Sequence, residues 1–412
     1  MTSKTQCLRG MRDIKPDVAN KLLHIEQTLI KIAQEYGYQC IQFPILESTD
    51  LFTKSIGIET DIVGQEMYTF KDKNESYISL RPEGTAGCLR SVIANSLIQR
   101  NKLKVFYTGP MFRRERPQQG RFRQFEHFGI EVFGYQSGLI DVELIEMSNR
   151  MWDVLGLKNI SLHINYLGSP QSRKKYHGRL IEYWQKHFDR LSESEQQRAI
   201  NNPLRLLDSK NPDIQDLIDN APTIIETLNE QEQVTYQSIK DQLDQLGIAY
   251  IESHKLVRGL DYYSDFIFEW ISSDLGAQST ICGGGRYDSL VESMGHKIPA
   301  TGFAAGIDRI ECILAALDKV EPSVYLCSAE DHLISDFMPY LAQARDSNCR
   351  IEFDPISGKI KNKLKQATDK AHTFAGILQQ ENEMKLINMS TDTAETISYS
   401  QFIKWCQNGM KL

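Results

Sequence analysis

The sequence has no long apolar run, no closely spaced cysteines and no excess of positive charge. No stretch of about 18 apolar residues occurs in its 412 residues, so no membrane-spanning helix is expected. The N-terminus, MTSKTQC, lacks the apolar core of a signal peptide, which predicts a cytoplasmic protein. Its eight cysteines form no C-x-x-C pair, which argues against a disulfide framework or a zinc site. We therefore expect a reduced protein without a metal site of its own.

Charge is distributed unevenly along the chain. Lys and Arg total 47 against 54 Asp and Glu, a net charge of −7, which excludes a polybasic nucleic-acid-binding protein. Residues 206–250 hold nine acids and two bases, whereas residues 104–123 hold six bases and one acid. Charge runs are usually solvated faces, but this basic run is rich in Arg and contains the turn residues Pro117–Gly120. The pattern favours a hairpin that presents guanidinium groups to phosphate or carboxylate.

The first part of the chain alternates helix and strand signals. Apolar residues at helical spacing predict an amphipathic helix over residues 17–36. Short strand-like runs predict a hairpin over 66–80, and aromatic and β-branched residues predict an antiparallel pair over 104–112 and 121–134.

A polar, mostly helical segment at 171–247 interrupts this core, and its composition indicates an inserted module. Strand signals return at 265–271 and 278–282, and a helix is expected at 304–317. The last 90 residues alternate strand and helix, which is typical of a small α/β domain. We therefore predict an α+β fold with an interrupted antiparallel core.

The segment from Phe112 to Phe125 carries the most informative side chains of the basic run. Two strands joined by this loop would bring Arg113 and Arg121 near one phosphate. Phe125 is suited to stack on a base, and Glu115 to accept a hydrogen bond from an exocyclic amine. No GxxxxGK[ST] or G-x-G-x-x-G motif occurs, so a nucleotide would be bound on another scaffold. By itself, the segment indicates an anion-binding hairpin.

A second anion-binding signal lies at residues 301–310, where two glycines precede an apolar helix stripe. Arg309 lies near the start of that helix and off the stripe. A cation gains nothing from the helix dipole there, so a bound anion would explain it, although a lone surface arginine is the commoner case. Two further segments, Leu256–Tyr263 and Cys282–Asp288, combine glycine, arginine and tyrosine.

Together these four segments resemble the histidyl-tRNA synthetase family, which belongs to the class II aminoacyl-tRNA synthetases. The resemblance covers essentially the whole chain, and LVRGLDYY at Leu256–Tyr263 is its most specific motif. The other matches are motif one at Tyr36–Glu47, motif two at Phe112–Glu131, motif three at Gly302–Arg309 and a second histidine-specific segment at Gly283–Asp288.

The resemblance implies a class II antiparallel-sheet catalytic domain with a helical insertion, followed by a small α/β anticodon-binding domain. The expected bounds are 1–168 for the first part of the catalytic core, 169–250 for the insertion, 251–320 for the second part of the core and 321–412 for the anticodon-binding domain.

The family's reaction joins histidine to its tRNA in two steps. The histidine carboxylate attacks the α-phosphorus of ATP and releases pyrophosphate, and the adenylate then passes histidine to the 3′ end of tRNA(His). The resemblance thus implies a histidine–tRNA ligase that uses ATP with Mg²⁺, forms a homodimer and has no DNA or membrane partner. Positioning and charge stabilisation carry most of such a reaction.

Each matched position takes a role from the resemblance. Arg258 and Arg113 are implied as catalytic arginines at the α-phosphate. The implied ATP-binding residues are Arg113, Glu115, Arg121, Phe125 and Arg309. The implied histidine-binding residues are Glu83, Thr85, His127, Glu131, Tyr262 and Tyr263. Arg116 and Gln118 are implied to bind tRNA, at positions that read the extra 5′ guanosine of histidine tRNA.

Three features depart from the family pattern. His127 replaces the usual Gln, and its ring would either hydrogen-bond or carry charge near a cationic substrate. Asp308 replaces Glu in motif three. The last domain has QQENE at 379–383 in place of a Gly-Glu signature, and its lysines over 359–370 would contact the anticodon stem.

Three other functions share parts of the pattern. The regulatory subunit of ATP phosphoribosyltransferase has the synthetase fold, but its relatives commonly lack the catalytic arginine and the C-terminal domain. This chain has Arg258 and about 90 residues after Pro322. A stress sensor that binds uncharged tRNA would need a fused kinase, and a class II synthetase for threonine, proline or glycine would not carry the Arg258 segment.

Overall fold

The computed structural model describes residues 6–57, 60, 62–98, 102–207, 209, 211–257, 262–276, 279–315, 322–347 and 349–410. The chain divides into two compact units, Met1–Ala315 and Ala316–Leu412. Within the described ranges, no helix is both long and apolar enough to cross a membrane.

The first unit alternates strands and helices along the chain. Its strands are β1 Gln39–Cys40, β2 Leu46–Ser48, β3 Thr69–Lys71, β4 Tyr77–Leu80, β5 Leu103–Phe112, β6 Gln124–Phe133, β7 Ile160–Tyr166, β8 Tyr250–Glu252, β9 Ser264–Ser272, β10 Thr280–Arg286 and β11 Ala300–Gly306. Its helices are α1 Pro16–Glu35, α2 Thr49–Ile56, α3 Thr85–Ala94, α4 Leu139–Val154, α5 Pro170–Gln185, α6 Glu193–Asn201, α7 Gln215–Asp219, α8 Glu230–Gln245, α9 Asp288–Ser293 and α10 Ile307–Ile313.

Eight strands form the main sheet, in the order β1-β5-β6-β11-β10-β9-β7-β8. The outermost pairs, β1 with β5 and β7 with β8, are parallel, and the strands between them pair antiparallel. β5 and β6 are the predicted antiparallel pair, with Leu103 opposite Phe133 and Phe112 opposite Gln124. The antiparallel core agrees with the predicted fold class.

Helix α1 follows the predicted amphipathic pattern. Pro16 begins it, where a missing N–H costs no hydrogen bond. Leu22, Ile25, Leu29 and Ile32 are buried on one side of the helix. Burial of this stripe agrees with the helix predicted over residues 17–36.

A small antiparallel sheet in the order β2-β4-β3 packs against α2. The pairing of β3 with β4 is the hairpin predicted over 66–80. Pro44 lies between β1 and β2, where its missing N–H removes no ladder hydrogen bond.

The polar segment after β7 is helical, as its composition indicates. Short 3-10 helices lie between helices α5 to α8, and Pro203 and Pro212 each begin one of them. Glu232 in α8 accepts hydrogen bonds from the Ser169 N–H at 2.7 Å and the Ser172 hydroxyl at 2.6 Å. These bonds join the two ends of the segment next to the main sheet.

Two predicted boundaries are wrong where small residues form the sheet. The helix predicted at 304–317 begins only at Ile307, because Ala304 and Ala305 continue β11 and pair with β6. The three glycines at 283–285 lie inside β10 rather than after it. A Cβ on Gly284 would come 2.2 Å from the Gly302 carbonyl oxygen, so close strand contact requires glycine there.

The second unit has helices on both faces of a five-stranded sheet, as the alternation predicts. Its elements are β12 Ser323–Ser328, α11 Asp331–Arg345, β13 Arg350–Phe353, α12 Ile360–Asp369, β14 Phe374–Gln380, β15 Glu383–Asn388, β16 Ala394–Ser398 and α13 Tyr399–Gln407. The sheet order is β13-β12-β14-β15-β16. Phe337 of α11 and Phe402 of α13 pack in one core, and Ala367 of α12 packs in another.

Candidate active site

A cavity of about 910 Å³ lies over one face of β6, β10 and β11. The β5–β6 loop and the N-terminal ends of α3 and α10 contribute to its walls. A cavity of this size holds a nucleotide together with a small molecule. The predicted site residues that line it are Glu83, Thr85, Arg113, Glu115, Arg121, Phe125, His127, Tyr262, Tyr263 and Arg309.

Three arginines surround one carboxylate in this cavity. A Glu115 oxygen lies 2.6 Å from Nη1 of Arg121, and the other lies 3.7 Å from Nη1 of Arg113. Burial lowers the pKa of Arg309 to about 10, as do the neighbouring charges of Arg121 and Arg113, while Glu115 opposes them. Arg309 therefore stays charged at neutral pH. The cluster keeps an excess of two positive charges, which suits a polyphosphate.

Backbone contacts inside and outside the hairpin hold these side chains in place. Arg113 donates from Nε to the Pro82 carbonyl oxygen at 2.8 Å. Gly120 has a φ of +66°, and a Cβ there would come 3.2 Å from the Arg309 side chain. The loop therefore needs glycine for both its conformation and its closeness to α10. The Arg113 guanidinium lies 5.5 Å from the centre of the Phe125 ring.

Asp308 joins three parts of the site. One of its oxygens lies 2.5 Å from Nη2 of Arg12, and the other accepts from the Glu126 N–H at 2.6 Å. Arg12 also lies 3.8 Å from the centre of the Phe122 ring. The shorter side chain in motif three thus still connects α10 to β6 and to the N-terminal segment.

His127 contacts Phe125 edge to face, with 4.9 Å between ring centres. Its Nδ1 is buried and has no hydrogen-bond partner within the described part of the chain. Burial lowers the pKa of His127 well below its usual range, and the charges of Arg113 and Arg309 lower it further. The ring is therefore neutral at physiological pH, with one ring nitrogen unused. Of the two alternatives that the sequence left open, the structure favours the hydrogen-bonding one.

Glu83 lies two residues before α3 and is buried. Its carboxylate oxygens accept from the Thr85 N–H at 2.7 Å and the Ala86 N–H at 2.9 Å. Burial raises the pKa of Glu83, whereas these backbone bonds and the charge of Arg113 lower it. Each oxygen keeps a lone pair for a further donor in the cavity.

Glu131 does not line the cavity. It is buried, and its two oxygens accept from the Tyr287 hydroxyl at 2.5 Å and the Tyr107 hydroxyl at 3.3 Å. Burial raises the pKa of Glu131 to about 8, although the Tyr287 bond opposes this shift. A Cβ at Gly84 or Gly129 would come 2.2 Å from the Tyr107 ring, so both glycines make room for this tyrosine.

Tyr262 and Tyr263 line the cavity with neighbouring rings. Their ring centres are 4.8 Å apart, and the Tyr262 ring also meets that of Tyr287 at 6.0 Å. The Tyr262 carbonyl oxygen accepts from the Ser289 hydroxyl at 2.7 Å. Arg258, the implied catalytic arginine of this segment, lies outside the described residues.

The two implied tRNA-binding residues lie apart from the cavity. Arg116 and Gln118 are exposed on the β5–β6 loop. The backbones of Gln118 and Arg121 exchange hydrogen bonds of 3.2 and 2.9 Å, which close the loop into a turn. Their exposure makes them accessible to a macromolecule rather than to ATP.

Sequence reasoning missed several residues around the cavity. Tyr107 and Tyr287 hold Glu131, and Tyr287 belongs to the Cys282–Asp288 segment, whose residue types were a signal for it. Four polar residues of the insertion also line the cavity, Arg198, Asn201, Asn202 and Arg205. Only the dipeptide Asn202-Pro203, which interrupts a helix, could have marked this region, because polar helices carry no informative periodicity.

An arginine-lined hairpin with a neighbouring aromatic ring, on a largely antiparallel sheet, agrees with the class II aminoacyl-tRNA synthetase catalytic domain that the sequence motifs imply. The family model "Histidyl-tRNA synthetase" matches residues 10–310 of this chain. The chain therefore belongs to the histidyl-tRNA synthetase family.

Full-length relatives agree with this assignment. The chain is 42% identical to "Histidine--tRNA ligase" of Hydrogenovibrio crunogenus, over 99% of this chain and 97% of the relative. It is also 42% identical to the protein of that name from Neisseria meningitidis serogroup C, over 92% of each chain. The predicted family and enzyme class are confirmed, since these relatives carry the ligase name rather than that of a regulatory subunit.

Solved structures agree on the fold. Apo histidyl-tRNA synthetase of S. aureus superposes with a TM-score of 0.80 at 32% identity, over 98% of this chain and 100% of that one. An ATP phosphoribosyltransferase regulatory subunit/histidyl-tRNA synthetase from Bacillus halodurans superposes with a TM-score of 0.66 at 23% identity, over 92% and 98% of the chains. The second likeness concerns the fold alone. The predicted fold class is thus confirmed.

Proposed function

We propose that the chain is a histidine–tRNA ligase. It activates L-histidine with ATP to histidyl-adenylate and pyrophosphate, and it transfers histidine to the 3′ end of tRNA(His). The observation that carries this proposal is one cavity that combines an arginine cluster for a polyphosphate with a buried carboxylate, Glu83, for an amino group. Membership of the family supplies the identity of the amino acid and the tRNA.

The arginine cluster is the proposed ATP site. Arg113 holds the α-phosphate, where negative charge develops as the histidine carboxylate attacks. Arg121 and Arg309 hold the distal phosphates and stabilise the departing pyrophosphate. Phe125 stacks on adenine, and Glu115 accepts from its exocyclic amine. Charged donors fixed before the reaction need no reorganisation as the transition state forms.

Mg²⁺ enters this proposal as part of the ATP substrate, held by the phosphates. Among the described side chains, no three His, Cys, Asp or Glu residues converge on one point. The positive charge of the arginine cluster is suited to the phosphate charge that Mg²⁺ does not neutralise. Arg258 is proposed to contact the α-phosphate during formation of the adenylate.

The amino acid is proposed to bind beside α3. Glu83 accepts from the substrate ammonium with the lone pairs that the helix N–H groups leave unused, and Thr85 adds a hydroxyl. Tyr262 and Tyr263 contact the imidazole ring. Glu131 does not line the cavity and both its oxygens already accept from tyrosine hydroxyls, so it is given no direct contact with the ring. A buried polar pocket of this kind rejects analogues without ring nitrogens, because its own groups would lose their partners.

His127 is proposed to act as a neutral hydrogen-bonding residue for histidine. Its unpartnered Nδ1 supports a direct contact with the substrate. The lowered pKa supports the same role, because an uncharged ring does not repel the substrate ammonium. Histidine here therefore replaces the hydrogen-bonding capacity of glutamine without adding charge.

Two surfaces are proposed to contact tRNA(His). Arg116 and Gln118 read its 5′ guanosine from the exposed loop, through donors to phosphate and base. In the second unit, the exposed lysines on and beside α12 are proposed to meet the anticodon stem. Lys363 is excluded from this surface, because it is buried and its Nζ lies 2.5 Å from an Asp354 oxygen.

A homodimer is proposed through the motif-one region and the small sheet. Leu46 and Phe70 expose 49% and 47% of their surface, although both are large apolar side chains, and the strand register places them on one face of the small sheet. Such a patch favours a protein interface. The four-part domain division, the absence of DNA partners and the cytoplasmic location stay predictions.

Histidine-dependent exchange of pyrophosphate into ATP tests the proposed activity. The assay includes Mg²⁺, the Arg258→Ala variant and a panel of other amino acids. We expect exchange with histidine alone and its loss in the variant. Absence of exchange with every amino acid, in folded protein, would contradict the ligase and favour the regulatory subunit. Exchange with a different amino acid would make His127 a change of specificity.

A further inference from the structure

The backbone next to the two cavity tyrosines is unusual. Tyr263 directly precedes β9, and the pairing of β9 with β10 jumps from Ser264 opposite Arg286 to Ile267 opposite Gly285. The two extra residues of β9 form a bulge. Bulges beside active sites change the direction of neighbouring side chains.

The bulge contains a residue in a disfavoured conformation. Asp265 has a φ of +51°, in the left-handed region that non-glycine residues rarely adopt. Its carbonyl oxygen accepts from the Leu167 N–H at 2.5 Å. A conformation of this kind persists only where the surrounding structure fixes it.

An arginine of the insertion contacts this bulge. Arg173, in the first turns of α5, donates from Nη1 to the Tyr263 carbonyl oxygen at 2.8 Å. Its charge also acts on the half-buried Asp265, whose pKa is raised by burial and lowered by Arg286 and Arg173. One side chain from outside the main sheet thus interacts with the residue that precedes β9 and with the first residue of the bulge.

The base of α5 is itself held firmly. Ser169 caps the helix and, with Ser172, donates to Glu232 of α8. Arg173 follows Ser172 directly, so the insertion fixes its backbone. The Tyr263 carbonyl oxygen, just before β9, fixes its guanidinium. The insertion and the histidine-specific segment are therefore linked by a hydrogen bond to a charged donor, one of the stronger kinds.

We propose that Arg173 is a positioning residue for amino acid binding, which holds the bulged start of β9 so that Tyr262 and Tyr263 face the substrate. This inference rests on the proposed function, since it assigns those tyrosines to histidine. Arg173 does not line the cavity and acts through the Tyr263 backbone. Through this contact the insertion acts on the histidine side of the site.

The test compares Arg173→Met, which keeps the aliphatic stem, with Arg173→Lys, which keeps a charged donor. Arg179→Ala is the matched control, because Arg179 lies on the same helix in an exposed ion pair with Glu226. Pyrophosphate exchange gives KM for histidine at saturating ATP, and KM for ATP at saturating histidine. Amide hydrogen exchange of residues 262–267 is measured on the same proteins.

We expect Arg173→Met to raise KM for histidine about tenfold, equivalent to about 1.4 kcal/mol, with KM for ATP unchanged within about twofold. Arg173→Lys should restore most of the histidine KM, and Arg179→Ala should change neither constant. Amide exchange of residues 262–267 should be faster in Arg173→Met only.

An unchanged histidine KM, an equal rise of both KM values or unchanged amide exchange would overturn the proposal. A loss of kcat alone would indicate a merely structural role and would also overturn it. If Arg173→Met does not fold, the same comparison is made with Arg173→Lys, which should then raise KM for histidine alone, by a smaller factor. Absence of exchange in the unmodified protein would instead contradict the ligase function, and amide exchange would still decide the role of Arg173.

Discussion

The two sides of the cavity differ in the charge and burial of their side chains. Around the hairpin loop, Arg113 and Arg121 are 19% and 26% exposed, and with Arg309 they outnumber the single carboxylate of Glu115. Beside α3 the carboxylates Glu83 and Glu131 are buried, and burial raises the pKa of each. One side carries excess positive charge, and the other carries acceptors removed from water.

This difference follows from the proposed ligands. A polyphosphate brings several negative charges and needs cations that remain ionised before it arrives. A small amino acid brings one ammonium and a polar ring, and it is selected by acceptors that lose their partners when a wrong molecule binds. Buried acceptors are costly without a ligand, and the backbone N–H groups and tyrosine hydroxyls around Glu83 and Glu131 reduce that cost.

Removal of Arg113 should produce the largest effect and should act on the phosphate side. We expect Arg113→Ala to lower kcat for pyrophosphate exchange about 10²- to 10³-fold, because a fixed donor to the developing charge is lost. The neighbouring Arg114→Ala is the control, since Arg114 is exposed and does not line the cavity. Similar losses in both variants would contradict a specific role for Arg113.

Neutralisation of Glu83 should act on the other side alone. We expect Glu83→Gln to raise KM for histidine about 10- to 100-fold, the effect of losing a charged hydrogen bond. KM for ATP should stay within about twofold. Glu182→Gln, at an exposed position of α5, serves as the control. A rise of both KM values would mean that the two sides of the cavity are not separate.

Substitution of Glu131 measures the free-energy cost of burying its ionised carboxylate. Its pKa lies at about 8 in the folded protein, against 4.5 as the ordinary value. The stability that it contributes is therefore complete below pH 4.5 and is lost as the pH rises through 8. We expect the stability of Glu131→Gln relative to the unmodified protein to increase by on the order of 3 kcal/mol between pH 5 and pH 8.

Denaturant unfolding of both proteins at several pH values measures this difference. Histidine should be left out, so that binding does not alter the curves. Glu143→Gln is a suitable comparison, because Glu143 lies on α4, is partly exposed and pairs with Lys104. A difference that stays constant with pH would show that Glu131 is ionised in the folded protein.

Substitution of His127 should have the smallest effect. Because the ring is neutral, replacing it with glutamine changes no charge, and His127→Gln should keep kcat/KM for histidine within about threefold at pH 7.5. The ratio of the two enzymes should also be constant between pH 6 and pH 8. A relative gain by the variant at pH 6 would mean that His127 carries charge near the substrate, against the direction of its pKa.

The local sequence determined much of this protein. The periodicity of α1, the β5–β6 hairpin and the alternation of the last domain follow from side-chain pattern, because each element buries one face. The residue types at Arg113, Arg121, Phe125 and Arg309 by themselves indicate an anion or a nucleotide, since guanidinium and aromatic groups have narrow chemical uses. The resemblance of the segments then supplied histidine and tRNA.

Only the tertiary structure decided how these groups are charged and held. Glu131 contacts Tyr107 and Tyr287, and Arg173 donates to Tyr263, although these residues are far apart in the chain. The charge state of His127 also depends on its burial in the folded protein. The glycines and alanines of β10 and β11 resemble a loop and a helix in sequence, because their strand conformation comes from neighbouring strands rather than from their own propensity. Burial and long-range contact are properties of the folded chain, and no local pattern contains them.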